Sequence, residues 1–366
     1  PLVPRLECDR VLVVNPGLSS FFFKKQKKPR PCCRRRSLLS PFLLSAPSLS
    51  LQHAADSKEV RFVVRAFRQL SSLRRRQNAD VLRAVLTQIF PAADAYGDEL
   101  RGYLANASSA AMDTSAPAAV GADSSASSSA ASSSSAPPSS AAAPKVPTAA
   151  PSLEAGGFVH LLVLMLLLDQ KHVDAASACA DALVRRVQGF QRHTLSQLAS
   201  KAYFFYARTY ELRGRLTEIR PTLQAAQRTA TLRSDEESAA TLLNLILRSY
   251  LANNQFELAD KMVSYVTVKE SSTSNAQYVR YLFYVARIKA VLLEYDRASQ
   301  SLQEALAKAP SSGARGFRLA ATKLSTIVQL LMGDLPERST FSQPGLRVGL
   351  KPYALLTQAV HVGDLK

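Results

Sequence analysis

Tryptophan is missing from the 366 residues, and glycine is scarce, with 14 in the whole chain. Turn-dense all-β architectures usually need more glycine, so this composition points to helices. Cysteine is limited to Cys8, Cys32, Cys33 and Cys179. Adjacent cysteines rarely pair, and no CxxC spacing occurs, which argues against a disulfide framework or a zinc site and fits a reducing compartment. Cys179 lies among alanines in a helical pattern and reads as a small core residue. No apolar run reaches the roughly 20 residues that span a bilayer. The longest, Phe158 to Leu168, is broken by His160 and reads as a buried helix.

The motifs of enzyme chemistry are also missing. There is no HExxH, no phosphate-cradling GxxxxGK[ST], no GxGxxG and no GxSxG. His53, His160, His172, His193 and His361 form no Cys/His cluster. His160, on an apolar helix, reads as a hydrogen-bonded buried side chain rather than a ligand. Asp235-Glu236-Glu237 sit where a helix begins, so they favour the helix dipole rather than form a catalytic pair. The expectation is a non-enzyme with no catalytic residue, no cofactor-binding or metal site, and no small-molecule substrate.

The chain does hold an uneven positive charge, +18 in total. Residues 1–55 contribute +8, 56–110 +3, 111–155 −2 and 156–366 +9. The body is only mildly basic, so nucleic-acid binding does not follow from charge alone. Residues 1–57, with Lys24-Lys25-Gln26-Lys27-Lys28, Arg34-Arg35-Arg36 and no acid between Asp9 and Asp56, leave three readings open. They are a transit segment, a nuclear-localisation cluster and a disordered or doubtful extension.

Order is expected at 58–104. Val60, Val63, Val64, Phe67, Leu70 and Leu73 follow helical spacing, and Val81, Leu82, Val85, Leu86 and Ile89 form a second stripe that Pro91 ends. Arg74-Arg75-Arg76 close the first helix, where cations suit the dipole, a simpler reading than a phosphate site. Residues 105–152 are rich in Ala, Ser and Pro and read as a disordered linker, with rapid amide exchange expected throughout.

From 153 onward a pattern recurs. Val173-x-x-Ala176, Leu216-x-x-Ile219, Phe256-x-x-Ala259 and Tyr295-x-x-Ala298 each follow a short polar turn, 43, 40 and 39 residues apart. A period near 40 is the mark of a helical-repeat solenoid. Tyr295, Ala298, Leu302, Ala305 and Pro310 have the spacing of a tetratricopeptide second helix, with small residues for close approach, Leu302 and Leu306 in the groove, and a closing proline. Its partner puts Val279, Leu282, Phe283, Ala286 and Leu293 on one face. Thr194-x-x-Gln197, Ser234-x-x-Glu237 and Ser274-x-x-Gln277 read as capping boxes. Five antiparallel helix pairs, or nearly so, are expected over 156–332, with no sheet. Bases interleave with aromatics in Lys201 to Arg208, but Tyr203, Tyr206 and Tyr210 keep helical spacing and read as core rather than an RNA-stacking platform.

Several stretches together resemble one family. They are Arg61 to Arg68, Leu73 to Arg83, Leu161 to Lys171, Arg228 to Arg233, Arg287 to Ala290 with Leu293-Glu294-Tyr295, Ala305-Leu306 with Lys308-Ala309-Pro310, and Gly345 to Val360. The set is similar to the non-ATPase lid subunits of the 26S proteasome regulatory particle, within them the subunit 3 family. The resemblance runs from about residue 58 to the end. It implies an all-α, TPR-like solenoid (153–269) leading into a PCI domain, of which 270–366 holds only the helical part and the winged helix falls beyond Lys366. It further implies a scaffold in ubiquitin-dependent protein degradation. Its partners would be other PCI-domain lid subunits, with no membrane and no nucleic acid, and its location the cytoplasm and nucleus. The alternatives are a subunit of another PCI complex, such as the COP9 signalosome or a translation initiation complex, and an RNA-binding helical-repeat protein.

Overall fold

Apolar residues three and four apart, few glycines and polar three-residue breaks dictate helices joined by tight turns. A computed structural model bears this out. It describes residues 60–90, 94–109, 153–189, 192, 195–266, 268–271, 273–310, 313–343 and 345–363, and the described residues form helices and turns without a strand. The readings placed on residues 1–57, on most of the Ala/Ser-rich tract and on Pro91 lie outside the described residues. The chain divides into two compact units, with the boundary after Cys179.

In the first unit, α1 (Val60–Arg76), α2 (Ala79–Ile89), α3 (Ala95–Ser109) and α4 (Leu153–Asp169) pack around a common core, with α1, α2 and α3 each against α4. Of the expected stripes, Val63 and Leu73 of α1 and Leu82, Val85 and Leu86 of α2 are buried, with Ala66 beside them, while Val64, Phe67, Leu70, Val81 and Ile89 are half-buried. α3 runs to Ser109, five residues into the segment read as linker. α4 is buried all round, from Glu154 to Leu167, which accounts for its long apolar run. Arg74 does more than face its own helix terminus: it grips the carboxylate of Asp169 at the end of α4 with two hydrogen bonds.

The remaining helices are α5 (Val173–Gln188), α6 (Ser196–Leu212), α7 (Arg220–Leu232), α8 (Glu236–Ala252), α9 (Phe256–Tyr265), α10 (Asn275–Val291), α11 (Tyr295–Lys308), α12 (Arg315–Met332), α13 (Arg338–Phe341) and α14 (Arg347–Val362). The leading helices α6, α8, α10 and α12 pack side by side in a row. The trailing helices α7, α9 and α11 lie against them, α9 touching both α8 and α10, and α11 both α10 and α12. Residues 156–332 therefore hold four two-helix repeats and the single helix α12. The next helix, α13, has only four residues, and α14 packs back on α12 instead. Gly349 permits that approach, since a Cβ there would lie 2.8 Å from the Leu319 side chain.

The turns share one construction. The backbone N–H of His172, Arg215, Asp235, Gln255, Glu294 and Asp334 each donates to the carbonyl five residues earlier, at 2.9–3.1 Å. The residue before each donor is left-handed: Lys171, Gly214, Ser234, Asn254, Leu293 and Gly333, with φ between 55° and 92°. This is the Schellman closure, which satisfies the orphan carbonyls at a helix end. It corrects three sequence expectations. Leu293 does not join the buried face of α10; it is the left-handed residue of its turn and 70% exposed. Ser234 is likewise committed to closing α7, so it cannot adopt the extended backbone of an N-cap, and Asp235 takes that place. The helix expected from Leu216 starts at Arg220, because Pro221 lacks an N–H and fits only the first helical turn.

The other capping boxes also differ. Ser274 is the N-cap of α10, but its Oγ donates to Glu237 Oε1 at 3.0 Å and its N–H to Glu237 Oε2 at 2.9 Å. Gln277 turns instead to Asn244, whose Nδ2 donates to its Oε1 at 3.1 Å. Thr194 lies outside the described residues. The cap of α10 is thus supplied by the preceding leading helix.

The small-residue positions behave as read. Ala298, Leu302 and Ala305 are buried, and Ala305 packs with Val279 and Leu282 of α10. Leu306 is only half-buried. Ala305→Leu will overpack this contact and cost about 1–3 kcal/mol in urea unfolding; an unchanged midpoint would contradict the contact. Leu293→Gly will act oppositely. A left-handed L-residue costs about 1–2 kcal/mol, and the exposed side chain has little packing to lose. A gain of about 1 kcal/mol is expected in the same assay.

Candidate protein-interaction surface

The residues singled out for possible chemistry are structural in place. His160 is buried, with Nε2 3.0 Å from the Cys179 carbonyl and Nδ1 2.9 Å from the Tyr96 hydroxyl. A carbonyl only accepts, so Nε2 carries a proton. Cys179 is fully buried, and that burial pushes its thiol well above the ordinary range. Tyr203, Phe205 and Tyr206 are buried on α6, and burial raises both tyrosines. Tyr210 donates to both oxygens of Asp181, at 2.9 and 3.1 Å. The aromatic run is packed, not displayed. No group of three or more His, Cys, Asp or Glu able to hold a metal occurs among the described residues. None of the described helices is long and apolar enough to cross a membrane.

What the repeat does bring together is a row of arginines. Arg208, Arg248 and Arg287 are each the thirteenth residue of α6, α8 and α10, so side-by-side packing sets them in line. Glu211 sits between the first two. Its Oε2 accepts from Arg208 at 3.0 Å and its Oε1 from Arg248 at 2.6 Å. Burial opposes the charge of Arg248, but Tyr284 and Glu211 outweigh it and hold the group above its ordinary value. Arg287 has no such carboxylate among the described residues, and burial lowers it. Arg280, about two helical turns before it, donates to Gln277 Oε1 at 2.8 Å and is lowered by burial and by Arg248. Lys201 is lowered by burial too, partly offset by Glu237.

The row therefore gathers Arg208, Arg248, Arg280, Arg287 and Lys201 around two carboxylates, Glu211 and Glu237. Guanidiniums held half out of water favour carboxylate partners, which they bind in paired hydrogen bonds. The sequence motifs missed this surface, because no short pattern contains it. The signal was present in the 40- and 39-residue spacing of Arg208, Arg248 and Arg287, the same period that marked the turns.

A family model for PSMD3-like, N-terminal TPR repeats matches residues 50–357. The chain belongs to this family. The match continues without a break across residue 270. Among curated relatives, the 26S proteasome non-ATPase regulatory subunit 3 of Dictyostelium discoideum is 40% identical over 318 residues, covering 86% of this chain and 59% of its own. The probable subunit 3 of Daucus carota is 39% identical over 86% of this chain and 60% of its own. Homolog A of Arabidopsis thaliana is 44% identical over 222 residues, 60% of this chain and 45% of its own. The chain spans about three-fifths of the length of the first two relatives. These relatives are named as regulatory subunits, and the family resemblance and the all-α repeat fold read from the sequence both stand.

Removing Glu211 tests the electrostatics of the row. Glu211→Ala strands two partly buried guanidiniums and will destabilise the chain by about 2 kcal/mol in urea unfolding. A loss below about 0.5 kcal/mol would mean that solvent already neutralises the row.

Proposed function

We propose that this chain is a non-catalytic scaffold subunit of the 26S proteasome lid, serving ubiquitin-dependent protein degradation through helix-repeat interfaces. The observation that carries the reading is the match to proteins of that name over 86% of the chain. The fold supports it. Stacked helix pairs offer long surfaces that hold neighbouring subunits at fixed spacing, and they need no reaction centre. In this reading residues 153–269 are the repeat array, and the helices from 270 onward form the helical part of a PCI domain. The partners are other PCI-domain lid subunits, and the location is the cytoplasm and nucleus. The arginine row of α6, α8 and α10 is the surface for an acidic segment of one such neighbour.

The RNA-binding reading loses its main support, because Tyr203, Phe205 and Tyr206 are buried rather than available to stack on bases. The test is to tag the protein in its source cells, purify it under mild salt and identify what accompanies it. Regulatory-particle subunits in comparable amounts are expected. Recovery of signalosome or initiation-complex subunits instead would replace the assignment, and recovery of no PCI-domain protein would defeat it.

A further inference from the structure

The helix α1 carries six arginines and no acidic residue in seventeen positions. Its apolar face, Val63, Ala66 and Leu73, is buried in the first unit. Arg74 is spent on Asp169. Arg61, Arg65, Arg68 and Arg75 are exposed and have no hydrogen bond or ion pair among the described residues. At 100° per residue these four fall within about 80° of arc on the side opposite the buried face. Three of them, Arg61, Arg68 and Arg75, recur every seven residues, which keeps them in a nearly straight line about 21 Å long.

We propose that this line is a docking seam for an acidic α-helix of a neighbouring protein, with carboxylates repeating at the same seven-residue interval. Two helices packed at a shallow angle meet along such a heptad seam. Arginine suits it, because the planar guanidinium sheds water easily and pairs with a carboxylate through two hydrogen bonds. The row contains no lysine.

Other anionic partners fit less well. The exposed residues between the arginines are Gln69, Ser71 and Ser72, so there is no aromatic ring for a base and no apolar side chain to enter a lipid surface. The row is one residue wide and its charges are spaced at a helical repeat, which suits discrete carboxylates on a second helix better than the continuous charge of a polyphosphate. The seam lies in a different unit from the arginine row of α6, α8 and α10, and it does not depend on which complex holds the chain.

The test uses the 366-residue chain and three labelled probes, followed by fluorescence anisotropy at low and high salt. The first probe is a helical peptide with glutamates every seven residues. The second is a peptide of the same composition with the glutamates scrambled around the helix. The third is a uridine homopolymer. The spaced peptide is expected to bind about tenfold more tightly than the scrambled one, with binding weakened by salt. The triple variant Arg61→Gln/Arg68→Gln/Arg75→Gln will lose at least that factor while its circular dichroism and melting stay unchanged, as exposed substitutions should. Arg228→Glu, an exposed change on α7, will leave binding intact. Equal binding of the two peptides would overturn the proposal, as would retention by the triple variant. Tighter binding of the uridine polymer, lost in the same variant, would make the seam a nucleic-acid surface and overturn it too.

Discussion

The hydrogen bond that closes α4, α6, α8, α10 and α12, from the residue after the left-handed one to the carbonyl five residues back, is the interaction on which the architecture depends. It recurs at His172, Arg215, Gln255, Glu294 and Asp334. By fixing one left-handed residue per turn, it reverses the chain at the same point of each repeat, and α9 and α11 begin directly after it. Once that geometry repeats, residues at equal depth in α6, α8 and α10 come into line without any further device. The arginine row is a by-product of identical turns.

In the proposed scaffold, that row would meet partners at little expense to the fold. Its guanidiniums sit on helices already held by apolar contacts such as Leu242, Leu243 and Ile246 of α8 and Leu282 and Phe283 of α10. Glu211 bridges Arg208 and Arg248, Tyr284 adds support to Arg248, and no carboxylate among the described residues pairs with Arg287. Charge on a binding surface generally governs on-rate and orientation more than lasting affinity.

Much of this was legible in the chain. The 40-residue period, the buried alanines at 298 and 305, the packed tyrosines of α6 and the buried His160 all follow from spacing and composition. What was not legible depended on competition between neighbouring turns. Ser234 has the residue type of a cap, yet the preceding helix claims it first as the left-handed closure. Leu293 has the residue type of core, yet the fixed turn length places it outside. Pro221 delays α7 because its ring and missing N–H tolerate only the first turn. The partnership of Glu237 with Ser274 is invisible to any local pattern, since the two lie 37 residues apart and meet only when repeats stack.

That last contact changes how the repeats communicate. In a stack held only by apolar faces, each helix could form its own start and then dock. Here the first turn of α10 finds its acceptors on α8, and Asn244 of α8 donates to the Gln277 carbonyl as well. The stability of the start of α10 is therefore coupled to that of α8. The start of α10 is thus held by the repeat before it as well as by its own turn.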